Sequence, residues 1–129
     1  VGAQWCAFFI RMVMMQVCRK GSKGYDFWFA NIHPNTNQTW VNLQKPSKYH
    51  EISSKAIPHS IVIYQGASDP SAGHIEFVDK VYSDGSYSVI SGNDSLVDNG
   101  GQGVASKKRS ASGIGPKYKI LGFIKIKRL

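Results

Sequence analysis

The run Cys6-Ala-Phe-Phe-Ile-Arg-Met-Val-Met-Met-Gln-Val-Cys18 constrains the fold of this chain more than any other stretch. It falls short of the about 20 apolar residues needed to cross a bilayer and is interrupted by Arg11 and Gln16. It therefore reads as a central helix buried on most sides. The two thiols at its ends are twelve residues apart, roughly 18 Å along a helix rising 1.5 Å per residue. A disulfide needs Cα atoms within about 7 Å, so a continuous helix keeps both thiols free of each other. Cys18 then reads as a small core or helix-end residue. Cys6 stands at the front of the run, where unpaired backbone N–H groups and the positive end of the helix dipole favour thiolate over thiol.

The rest of the chain changes character. Arg19-Lys-Gly-Ser-Lys-Gly24 suits a helix stop. Tyr25, Phe27, Trp28 and Phe29 suggest a short helical or extended element, and residues 36–44 a short helix ended by Pro46. From Ser60 the pattern is strand. Residues 60–65 are β-branched, and residues 74–82 alternate with Ile75, Phe77 and Val81 on one face. Asp84-Gly85 marks a hairpin, residues 87–91 return antiparallel, residues 92–103 read as a loop, and residues 118–127 as a last strand. One domain of 129 residues, helix first and sheet after, is the economical organisation. That length buries a core without metal or disulfide staples.

An early helix carrying Cys6 and a later strand beginning at His74 is the order used in papain-like nucleophilic catalysis. Thiolate attack on an amide carbonyl needs a base that later protonates the leaving amine, and that base needs a neighbour to fix its tautomer. Four motifs in sequence carry a resemblance. Gln4-Trp5-Cys6-Ala7-Phe8-Phe9 resembles the nucleophile motif of the CHAP family, the cysteine, histidine-dependent amidohydrolases and peptidases within the NlpC-like papain-fold group. Ile57-Pro58 ahead of Ile61-Val62-Ile63-Tyr64 resembles its proline-led strand, Gly73-His74-Ile75-Glu76-Phe77-Val78 its histidine motif, and Ser91-Gly92-Asn93 its third polar site.

The resemblance implies an α+β, papain-like core with the Cys-bearing helix packed on a mostly antiparallel sheet. It implies cysteine-dependent cleavage of amide bonds in bacterial peptidoglycan, by an endopeptidase or an amidase. Cys6 would be the nucleophile, His74 the base, and Asn93, nineteen residues past His74, the orienting group with Asp94 as fallback. The oxyanion would meet the Cys6 backbone N–H and a second donor, for which Gln4 is a candidate; Trp5 is a candidate substrate contact. Family members often carry a Glu two residues before the third polar site, where this chain has Ser91. His59-Ser60 replaces the Gly-Asp that commonly follows the proline.

Sixteen basic residues against eight acidic ones give a charge of +8. Lys107-Lys108-Arg109 and Lys125, Lys127 and Arg128 form two clusters suited to an anionic polymer. Nucleic acid, anionic wall glycan and lipopolysaccharide all suit this charge, which alone does not choose among them. The pairing of Cys6 with His74 makes wall peptidoglycan the expected partner and argues against nucleic acid. His33, His50 and His59 read as loop residues, and with no paired metal-ligand spacing neither a zinc site nor any other cofactor is expected. Glu76 shares a strand face with His74; it could tune the imidazole, but it reads first as an exposed, solvated carboxylate.

No signal peptide or membrane span is visible, so the chain reads as a processed protein or an excised domain acting in the bacterial envelope. A phage lysin or a secreted antibacterial toxin, the latter with an immunity protein as partner, fits that setting. The competing expectations are an inactive papain-like module binding wall polymer or nucleic acid, and a protease or acyltransferase acting on protein or lipid.

Overall fold

The computed structural model describes residues 2–94 and 103–129, leaving aside the side chains of residues 2–5, 93, 94 and 103–105. Three helices precede the sheet: α1 (Gly2–Val17), α2 (Lys23–Asn31) and α3 (Thr36–Asn42). Ser22 caps α2 by accepting from the Tyr25 N–H at 3.1 Å, and Asn35 caps α3 by accepting from the Gln38 N–H at 3.0 Å. Each cap satisfies a backbone donor that the first helical turn leaves unpaired. Seven strands follow: β1 (His50–Ser53), β2 (Ile61–Gly66), β3 (Gly73–Val81), β4 (Tyr87–Asp94), β5 (Gly103–Arg109), β6 (Gly113–Ile114) and β7 (Tyr118–Ile126). They form an antiparallel sheet in the order β1-β7-β2-β3-β4-β5, with β6 paired to β7.

Alternation along β2 divides the core in two. Ile61 and Ile63 share a cluster with Cys6, Ala7, Ile10 and Met14 of α1, Trp28 of α2 and Leu43 at the C-terminal cap of α3. Val62 and Tyr64 point to the other face, where Val78, Tyr87, Val89 and Phe123 form a cluster built from strands alone. With β2 buried on both faces, its sequence is a continuous apolar run rather than an alternating one. Irregular steps in register between Ile63 and Tyr64, between Val78 and Lys80 and between Gly92 and Asp94 bend the sheet and increase its twist.

Several expectations change. α1 buries one face only, through Cys6, Ala7, Ile10 and Met14, continued by Cys18 just past its end, while Phe8, Met12 and Val17 are exposed. Hydropathy made the whole run look buried because the exposed positions are apolar as well. His50 belongs to β1 rather than a loop and is buried, bonded to the Ser47 hydroxyl at 2.7 Å and the Leu43 carbonyl at 2.9 Å. Residues 92–94 extend β4, and β5 occupies the end of the segment read as a loop and the basic run beyond it. Residues 95–102 of that expected loop lie outside the described residues.

Candidate active site

Cys6 and His74 come together where α1 meets the start of β3. Gly73 permits the approach of α3: a Cβ there would lie 3.0 Å from both Thr36 Cβ and Asn37 Oδ1. With that space open, Thr36 Oγ1 reaches to 3.8 Å from Cys6 Sγ. The thiol also hydrogen-bonds the His74 ring and receives the Ile75 backbone N–H. Burial pushes the Cys6 thiol up, but the hydrogen bond and charge of His74, with Thr36 and Ile75, outweigh it and hold its pKa below the ordinary value.

The same contact acts on His74 in the opposite direction. Burial alone would lower the imidazole pKa, whereas hydrogen bonds to Cys6 and Glu76 and the charges of both raise it to about 9. A lowered thiol beside a raised imidazole favours a thiolate–imidazolium pair, which titrates as a unit. His74 Nε2 donates to Glu76 Oε2 at 2.8 Å, which leaves Nδ1 for the thiol. The ring packs on Tyr64, with centroids 5.8 Å apart, and on Tyr118 at 6.0 Å.

Glu76 overturns the expectation of an exposed carboxylate, for its side chain is fully buried. Two residues past His74, it shares that strand face, which here packs against the strand-only cluster. Tyr64 Oη donates to Oε1 at 2.8 Å, and Arg109 donates through Nε to Oε1 at 3.1 Å and through an Nη to Oε2. With His74 these make four donors, filling the lone-pair sites a carboxylate offers. Burial raises the Glu76 pKa, but His74 and Arg109 reverse that and hold it at about 2. Since a carboxylate only accepts, Tyr64 spends its proton on Glu76 and Tyr87 donates to Tyr64 Oη at 2.8 Å.

Arg109 therefore leaves the basic surface run in which the sequence placed it. The register Tyr87↔Arg109 points its side chain inward beside Tyr87, at 12% exposure. Lys108, by contrast, lies over the Tyr82 ring at 4.6 Å. Sequence reasoning missed Arg109, Tyr64 and Thr36 as site residues and ranked a role for Glu76 beside the imidazole below solvent exposure. The legible signals were Glu76 amid apolar neighbours and two buried-strand tyrosines needing hydrogen-bond partners. Nothing in the sequence marks Thr36.

The other expected site residues stand as follows. Gln4 and Trp5 fall in α1, and Asn93 and Asp94 in β4; their side chains lie outside those described. Since α1 already includes Gly2, Cys6 sits in its second turn rather than its first. A helical N–H at that position bonds to the residue four earlier, so the expected oxyanion donor at Cys6 is engaged. The thiolate is favoured by His74, Thr36 and Ile75 instead of by a free helix end. Cys18 is buried just past α1, with its pKa raised by burial.

Among the described residues, no group of three or more His, Cys, Asp or Glu could hold a metal ion. No described helix is long and apolar enough to cross a membrane. No curated protein matches the chain in sequence. A solved structure, an N-acetylmuramoyl-L-alanine amidase from Staphylococcus aureus, aligns with 21% identity and a TM-score of 0.47, over 91% of this chain and 30% of that one. The chain thus spans under a third of that protein's length. The CHAP domain model matches residues 1–93, the stretch that holds Cys6, His74 and Glu76, and the chain belongs to the CHAP domain family.

Proposed function

We propose that the chain is a cysteine amidohydrolase that cleaves an amide bond in bacterial peptidoglycan. The observation that carries this reading is the buried Cys6–His74 contact with its opposite pKa shifts. Family membership supports hydrolysis of this class, and a +8 charge suits an anionic wall polymer.

In this reading the Cys6 thiolate attacks the carbonyl carbon of the scissile amide, and the His74 imidazolium protonates the departing nitrogen as the C–N bond breaks. A thioester on Cys6 remains. His74, now neutral, takes a proton from water, whose oxygen attacks the thioester carbon. The new carboxyl group leaves and the ion pair is restored. Tyr64 and Tyr118 flank the imidazole and limit its rotation. Action in the envelope as a phage lysin, or as a secreted toxin with an immunity partner, fits a small basic hydrolase of this kind.

The test is digestion of purified Gram-negative and Gram-positive peptidoglycan by wild type and Cys6→Ala, with products identified by mass spectrometry. Muropeptides from wild type alone support the reading and identify the bond as a stem-peptide or a glycan–peptide amide. Equal products from both proteins, or none from wild type, refute it.

A further inference from the structure

We propose that Glu76 is the positioning residue for His74, taking the role that the family pattern assigns to a residue on β4, and that Arg109 and Tyr64 clamp it from neighbouring strands. The proposal rests on the cysteine-hydrolase reading above. The geometry comes from sheet register. Phe77 pairs with Ile90 at this end of β3 and β4, and continuing that antiparallel register by one step puts Ser91 opposite Glu76. By the resemblance in sequence, Ser91 stands where many members of the family carry a Glu.

Glu76 meets the requirements of the role. It is fully buried and bonds Nε2 at 2.8 Å, fixing the tautomer and turning Nδ1 toward the thiol. A buried carboxylate with a single partner would be poorly compensated, and Arg109 supplies the missing charge in a two-pronged contact. Tyr64 fixes the carboxylate plane at 2.8 Å while stacking on the ring that Glu76 orients. Arg109 thus reaches His74 through Glu76. Ser91 is buried, and its hydroxyl bonds the Gly92 carbonyl at 3.4 Å.

Two measurements test this, and one of them needs no substrate. In wild type, long-range proton–nitrogen NMR of His74 should show a proton on Nε2, shifted downfield and sheltered from exchange. A freely exchanging or absent Nε2 proton overturns the proposal even if Glu76 variants do not fold. In peptidoglycan digestion, Glu76→Gln should lower kcat by about a hundredfold or more at similar KM. Adding Ser91→Glu to Glu76→Gln should restore at least tenfold, because it returns a carboxylate to the same face one strand away. A folded Glu76→Gln with wild-type kcat and pH profile overturns the assignment. If wild type cuts no wall at all, the hydrolase reading fails while the NMR signal still decides the place of Glu76.

Discussion

Replacing Arg109 by Met removes a charge and two hydrogen bonds while keeping much of the side-chain volume. Its partner, Glu76, stays fully buried, and breaking a buried pair from one side costs about 3–5 kcal/mol. His74 and Tyr64 continue to hold the carboxylate, so the expected loss is about 3 kcal/mol, at the low end. At about 2.1 cal/mol/K per residue, 129 residues give a melting entropy of about 0.27 kcal/mol/K, and the loss becomes about 11 °C in Tm. Calorimetry or circular dichroism at pH 7 reads it directly. The loss should shrink near pH 4, where Glu76 without Arg109 can take up a proton on folding. The pair Arg109→Met with Glu76→Gln should be more stable than Arg109→Met alone, since no uncompensated charge remains. A Tm within about 2 °C of wild type, or a loss independent of pH, would refute the buried ion-pair account.

The pH profile follows from two shifted groups. With His74 raised from 6.5 to about 9, its contribution to stability is complete below about 6.5 and is lost as pH rises through about 9. Hydrolysis, which needs the imidazolium, should fall over the same alkaline limb. With Glu76 lowered from 4.5 to about 2, its contribution is present above about 4.5 and is lost as pH falls toward 2; acid-melting curves read that limb. Thr36→Val removes the hydroxyl 3.8 Å from Cys6 Sγ, a long contact of about 0.5–1.5 kcal/mol. It should raise the Cys6 pKa and lower kcat by about threefold to tenfold. An unchanged thiol titration would remove Thr36 from the site.

The strands β2, β3 and β7 were legible because β-branched runs and alternation survive burial: the stretches 60–65, 74–82 and 118–127 read as strand, and the strands observed are 61–66, 73–81 and 118–126. β1 and β5 were not. His50-Glu-Ile-Ser53 and Gly103-Val-Ala-Ser-Lys-Lys-Arg109 carry almost no apolar periodicity. They are strands because β7 and β4 offer them backbone partners along Ile52↔Ile124 and Val89↔Lys107. Pairing of that kind is a tertiary fact that local sequence does not encode.

The site divides the same way. Cys6 and His74 could be paired from motif order, since the thiol and imidazole each sit in recognisable local contexts. Glu76 was read as solvent-exposed because one face of a strand says nothing about what covers it. Here Tyr64 and Arg109 converge on it from β2 and β5, and Tyr87 on β4 backs Tyr64. A carboxylate between Ile75 and Phe77 is costly to bury alone, so the chain needed a cation. The candidate was already visible as Arg109 at the end of a run that looked like surface charge.

The central claim is that Cys6 and His74 form a thiolate–imidazolium pair. Ultraviolet absorbance of the thiolate, followed against pH in wild type, Cys6→Ala and His74→Ala, tests it without requiring reagent access to a buried sulfur. The account predicts a thiolate in wild type below the unperturbed value of about 8.5. That signal should be absent in Cys6→Ala and displaced to higher pH in His74→Ala. A wild-type thiol that ionises only at or above about 8.5, or a titration unaffected by His74→Ala, would contradict it.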